Sequence, residues 1–108
     1  MRKEVVLNYR GIRFMIPKQS ECFWPYYGIC FVGEYNQLLD NIRKEDTVLD
    51  AGANVGIFSL LASQKCSRVL AVEPDPLNYF YLVKNIELNK AENIIPINSA
   101  LSDYIGSG

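Results

Sequence analysis

Apolar and polar positions along this chain follow two different rhythms. Up to residue 17 they alternate: Val5, Leu7 and Tyr9 share one face, and Ile12, Phe14 and Ile16 follow a turn near Arg10-Gly11. A period of two places alternate side chains on one side of a pleated strand, which predicts a β-hairpin over about 4–17. Tyr35, Leu38, Leu39 and Ile42 then recur at i, i+3, i+4 and i+7, predicting an amphipathic helix over about 34–43. From Thr47 onward, short apolar runs alternate with helical stripes. The runs Thr47 to Asp50, Arg68 to Val72 and about 93–98 read as strands. Between them, Ile57, Leu60, Leu61 and Gln64 form one helical stripe, and Tyr79, Leu82, Val83 and Ile86 another. The helices are expected over about 54–65 and 76–89. Strand, helix, strand, helix, strand predicts a parallel sheet with right-handed crossovers, its strands in the order 3-2-1.

Between hairpin and helix, residues 22–35 are rich in aromatics and broken by Pro25, Gly28 and Gly33, as expected of a loop over a core. This divides the chain into a hairpin with aromatic loop, 1–33, and an α/β domain, 34–108.

The turn after the first strand of the α/β unit carries the chemistry. It reads Asp50-x-Gly52-x-Asn54-x-Gly56, with a helix behind it. Glycine lets backbone approach a ligand and tolerates positive φ, and a helix N-terminus offers N–H groups to an anionic group. Strand, glycine turn and helix are the opening of a Rossmann-like domain. The spacing departs from the G-x-G-x-x-G of dinucleotide sites. Asp50 at the mouth of the strand would repel pyrophosphate but can pair with an ammonium group. Glu73 closes the second strand about twenty residues later, where a carboxylate can take both ribose hydroxyls. Together the two acids suit a nucleoside that carries an amino acid. Asp75 before Pro76 is a helix N-cap followed by proline at the first helical position.

Composition narrows the chemistry. Basic and acidic residues number 11 and 12, which argues against a broad nucleic-acid footprint. Histidine is absent, which excludes a histidine base or histidine-held metal on these residues. Cys22, Cys30 and Cys66 are an odd set without metal spacing, so no metal is expected, and reduced thiols fit a cytoplasmic setting. No apolar run approaches the ~18 residues of a membrane span, so no membrane partner is expected.

Four segments carry a resemblance: Thr47 to Gly56; Glu73-Pro74-Asp75-Pro76; Leu82-x-x-Asn85-x-x-x-Asn89; and Ala100-Leu101-Ser102-Asp103. Together they resemble the class I S-adenosylmethionine-dependent methyltransferases, and within that class the FkbM family. The resemblance implies S-adenosylmethionine as cofactor and a partial Rossmann-like methyltransferase fold. Asp50, with the backbone of Ala51, Gly52, Asn54 and Gly56, would hold the methionine moiety. Glu73, followed by Pro74, would accept from the ribose hydroxyls. Asp75, Ser99 and Ala100 would line the adenine. Many relatives place an acid near position 100, and Ala100 leaves only backbone contact there. Glu34 opens the helix that often covers the cofactor.

The resemblance also implies a seven-stranded sheet ordered 3-2-1-4-5-7-6, of which this chain carries strands 1, 2 and 3. The acid-rich motif after strand 4 is absent, so the catalytic residues are unknown. The expected product is a cofactor-binding half with an open edge on strand 1 that invites self-association. A small-molecule or glycan methyl acceptor is expected. Two alternatives remain: an RNA methyltransferase, since Asn85-Ile86-Glu87-Leu88-Asn89-Lys90 also resembles archaeal-type tRNA methyltransferases, and a non-catalytic truncated fragment.

Overall fold

The structure, a computed structural model, describes residues 4–9, 11–17 and 36–100. β1 (Glu4–Tyr9) and β2 (Ile12–Pro17) form an antiparallel ribbon. Gly11 turns the chain at φ 84°, a left-handed conformation that glycine adopts without steric cost. The register sets Val5 against Ile16, Leu7 against Phe14 and Tyr9 against Ile12. The predicted apolar face therefore forms. Ile12, Phe14 and Ile16 are buried in the main core, with Val5, Leu7 and Tyr9 packed at its margin.

α1 (Asn36–Asp40) leads into a three-stranded parallel sheet of β3 (Thr47–Ala51), β4 (Arg68–Val72) and β5 (Ile94–Ile97). Its order, β3-β4-β5, is the expected one. α2 (Ile57–Ser63) and α3 (Pro76–Leu88) are the crossover helices. Across the sheet, Val48, Val69 and Ile94 form one row, and Leu49, Leu70 and Ile95 the next. Val69 and Ile94 are buried, whereas Leu49 and Ile95 are 48% and 43% exposed. One sheet face thus builds the core with α2, α3 and the hairpin. Hairpin and sheet share a single core. The expected division near residue 33, the aromatic loop and the motif residues 101–103 lie outside the described residues.

The helices keep most of their predicted stripes, with Ile57, Leu60, Leu61 and Leu82 buried, and depart at particular positions. Only Leu39 of α1 is buried, and Leu38 is 54% exposed. α2 starts at Ile57, because Gly56 before it is left-handed at φ 98° and cannot extend the helix. Gln64 caps its C-terminus and is exposed rather than part of the stripe. In α3 the buried row is Tyr81, Leu82 and Asn85, with Tyr79 and Ile86 only partly buried.

The rotation of α3 follows from the hairpin packed on it. Asn85 Nδ2 donates to Met15 O at 3.0 Å and to Val55 O at 2.8 Å, and its Oδ1 accepts from Met15 N at 2.6 Å. One turn on, Asn89 Oδ1 accepts from Arg13 N at 2.9 Å and its Nδ2 donates to Arg13 O at 2.7 Å. Two asparagines at i and i+4 so bind alternate residues of β2 through backbone groups that antiparallel pairing with β1 leaves facing outward. Tyr81 adds a third tie, its hydroxyl donating to Glu4 Oε2 at 3.0 Å. No helix of the described residues is long and apolar enough to cross a membrane.

Candidate functional site

β3 and β4 end side by side, and parallel strands carry ligands outside their carboxyl ends. Asp50 is the penultimate residue of β3; Glu73 directly follows β4. Ser59, fully buried on α2, donates its hydroxyl to Asp50 Oδ2 at 2.6 Å. Burial pushes the Asp50 carboxyl above its ordinary value, the Ser59 hydrogen bond opposes that, and the negative charge of Glu73 adds to it.

Glu73 is only 5% exposed. Its Oε1 accepts from Asn54 N at 2.6 Å and its Oε2 from Asp75 N at 3.0 Å. One carboxylate thereby joins the turn after β3 to the turn after β4. Asn98, just past β5, fixes the same segment by donating to Glu73 O at 2.8 Å and Pro74 O at 3.2 Å.

The glycine turn is held from below. Gly52 N and Ala53 N both donate to Val72 O, at 2.8 and 3.0 Å, and Gly56 N donates to Ala53 O at 3.0 Å. Asn54 is left-handed at φ 60°, a conformation asparagine tolerates better than most residues. The two glycines serve different ends. Gly52, at φ 74°, is exposed, and a Cβ there would meet nothing within 4 Å. At Gly56 a Cβ would lie 2.7 Å from Leu82 Cδ1, so that glycine serves the packing of α2 on α3. The N–H groups of Gly52, Ala53, Asn54 and Gly56 are committed within the fold, to Val72 O, Glu73 Oε1 and Ala53 O. Ala51 and Gly52 instead offer an open backbone floor beside two carboxylates.

The remaining sequence-derived positions fall as follows. Pro74 and Asp75 are exposed; Asp75 Oδ2 caps α3 by accepting from Asn78 N at 2.9 Å. Ser99 and Ala100, half-buried, follow β5 at the same end of the sheet. Glu34 lies outside the described residues. Sequence reasoning missed Ser59 and Asn98. A serine within the apolar stretch of α2 was the available signal for the first; nothing in the sequence marked the second.

A family model, TRM5/TYW2 methyltransferase domain, matches residues 6–107. The chain belongs to this family. A TRM5/TYW2 relative in Pyrococcus abyssi, the tRNA (guanine(37)-N(1))-methyltransferase Trm5b, is 31% identical over 87% of this chain and 27% of its own length. A solved complex of aTrm5 and tRNALeu is 30% identical with TM-score 0.75, over 91% of this chain and 28% of that one. TYW2 of Methanocaldococcus jannaschii, solved in complex with AdoMet, is 25% identical with TM-score 0.73, over 92% and 44%. The chain spans about a quarter of the curated relatives it matches first, 24% and 27% of their lengths.

These matches correct two expectations. The family is TRM5/TYW2, not FkbM, although the class I methyltransferase resemblance stands. The first three quoted motifs build the acid-flanked turn and the asparagine contacts to β2, features of the scaffold rather than of an acceptor site, so they report class better than family. The expected small-molecule or glycan acceptor is overturned by relatives that are tRNA methyltransferases, one solved with tRNA. Balanced charge is a weak guide there, because an RNA footprint is a property of a whole surface and this chain spans about a quarter of its first relatives' length.

Proposed function

We propose that this TRM5/TYW2 chain forms the S-adenosylmethionine-binding part of a methyltransferase acting on tRNA. The observation that carries the reading is the pair Asp50 and Glu73 at the ends of adjacent parallel strands, flanking the exposed floor of Ala51 and Gly52. The relatives solved with AdoMet and with tRNA support cofactor and acceptor class.

The donor set fits this cofactor. A carboxylate has about four lone-pair sites, and backbone N–H groups take two of those on Glu73. The others suit a pair of ribose hydroxyls. Asp50, with its charge disfavoured by burial and by Glu73, is relieved by a cation, which an ammonium supplies. Open space at Gly52 admits the ligand against backbone. Pro74, Asp75, Ser99 and Ala100 border the same end and suit the adenine. When bound, the cofactor supplies an electrophilic methyl group on a sulfonium. The chain's own part is to fix that group's orientation through a turn pinned by Glu73, and orientation is a large share of the barrier in such transfers.

Calorimetry with S-adenosylhomocysteine and NAD tests the cofactor reading. The expected result is binding of the former and not the latter; tighter binding of NAD overturns it. Photo-crosslinking to a tRNA transcript tests the acceptor class, and labelling no stronger than that of duplex DNA counts against RNA.

A further inference from the structure

We infer that Asn85 is a positioning residue that couples docking of the β1–β2 hairpin to the shape of the cofactor turn. The inference rests on the S-adenosylmethionine reading and extends it to a residue outside the site. Asn85 is fully buried. Its amide has one acceptor oxygen and two donor hydrogens, and it spends them on two different parts of the chain. Oδ1 and one donor take Met15 N and Met15 O on β2. The other donor takes Val55 O, inside the turn between Asn54 and Gly56. Val55 is itself 1% exposed, so no solvent replaces that bond when the amide moves.

The neighbouring tie provides an internal control. Asn89 makes the same pair of bonds to Arg13, but its other side-chain bond runs to Asn85 O within α3 and not to the turn. Loss of Asn89 loosens the hairpin; loss of Asn85 loosens the hairpin and releases the turn. Adjacent Gly56 packs its backbone against Leu82, on the same helix as Asn85, so the turn and the hairpin bear on one surface of α3. Coupling of this kind is reciprocal: a ligand that needs the ordered turn must also favour the docked hairpin.

The test uses the full chain and S-adenosylhomocysteine. Asn85→Ala is expected to weaken binding about tenfold, the loss that follows from one released buried carbonyl. Asn89→Ala is expected to lower thermal stability and to weaken binding much less than Asn85→Ala does, since it leaves the Val55 bond in place. In the unaltered chain, ligand should slow hydrogen exchange at Met15 N–H more than at Arg13 N–H, a difference that uniform stabilisation does not produce. Should Asn85→Ala fail to fold, the exchange ratio decides alone. Equal slowing at the two amides, or unchanged affinity in a folded Asn85→Ala chain, overturns the coupling and leaves the cofactor reading intact. No binding by the unaltered chain overturns both.

Discussion

Asn85 and Met15 are joined as two adjacent strands would be. The side-chain amide accepts from Met15 N at 2.6 Å and donates to Met15 O at 3.0 Å, across seventy residues of sequence. A primary amide has the donor and acceptor spacing of a peptide group, so α3 extends the hairpin's hydrogen bonding with side chains. Asn85→Ala leaves one buried and two partly buried backbone groups without that partner and should cost about 2–4 kcal/mol in urea denaturation. Asn89→Ala, whose Arg13 partner is exposed, should cost about 1 kcal/mol.

The two glycines of the turn should respond differently to alanine. Gly52→Ala strains a left-handed residue in open space, at about 1–2 kcal/mol. Gly56→Ala carries the same strain and also drives a Cβ to within 2.7 Å of Leu82 Cδ1. Leu82 is fully buried, so the added cost of overpacking is about 1–3 kcal/mol. Chemical denaturation of the two variants should rank Gly56→Ala as the more damaging, and equal losses would contradict the packing role.

Asp50 gives a pH dependence with a definite sign. Its folded-state carboxyl titrates above the ordinary 3.8, so the folded chain holds that proton more tightly than the unfolded chain does. Its contribution to stability therefore falls as pH rises from the ordinary carboxylate value through the raised one. Asp50→Asn, which can still accept from Ser59, should become more stable than the unaltered chain as pH rises toward neutral. The same variant should bind S-adenosylhomocysteine more weakly, having lost its charge. Stability curves that stay parallel across this range would contradict the burial argument.

Glu73 combines a structural and a ligand role. Glu73→Gln replaces one acceptor oxygen with an amide donor facing either Asn54 N or Asp75 N. Loss of a charge-assisted bond and a donor set against a donor should lower stability by about 1.5–3 kcal/mol. Affinity for S-adenosylhomocysteine should fall by about tenfold or more, read by calorimetry. A variant with native stability would show that the two turns do not depend on this carboxylate.

Periodicity alone placed the hairpin, the three strands and the long helix, because one face of each element must be apolar to meet the core, and that requirement is written at fixed spacing. The glycine turn, the two acids and the Asp75 cap were legible for the same local reason: a tight turn and a helix start demand particular residue types. Element ends were less so. α2 begins after Gly56 rather than at Asn54, since the left-handed backbone of Gly56 cannot extend the helix.

Long-range partnership was decided by the tertiary structure. Asn85 and Asn89 stand in the sequence only as positions of a resemblance, yet one is fully buried and both hold the hairpin. Ser59 acquires its meaning from Asp50, and Asn98 from Glu73 and Pro74. Each of these side chains is satisfied by a group distant in sequence, and hydrogen bonding carries no period along the chain. Burial repeats with the helix or the strand and so leaves its mark in the sequence; the identity of a buried polar group's partner exists only once the elements have packed.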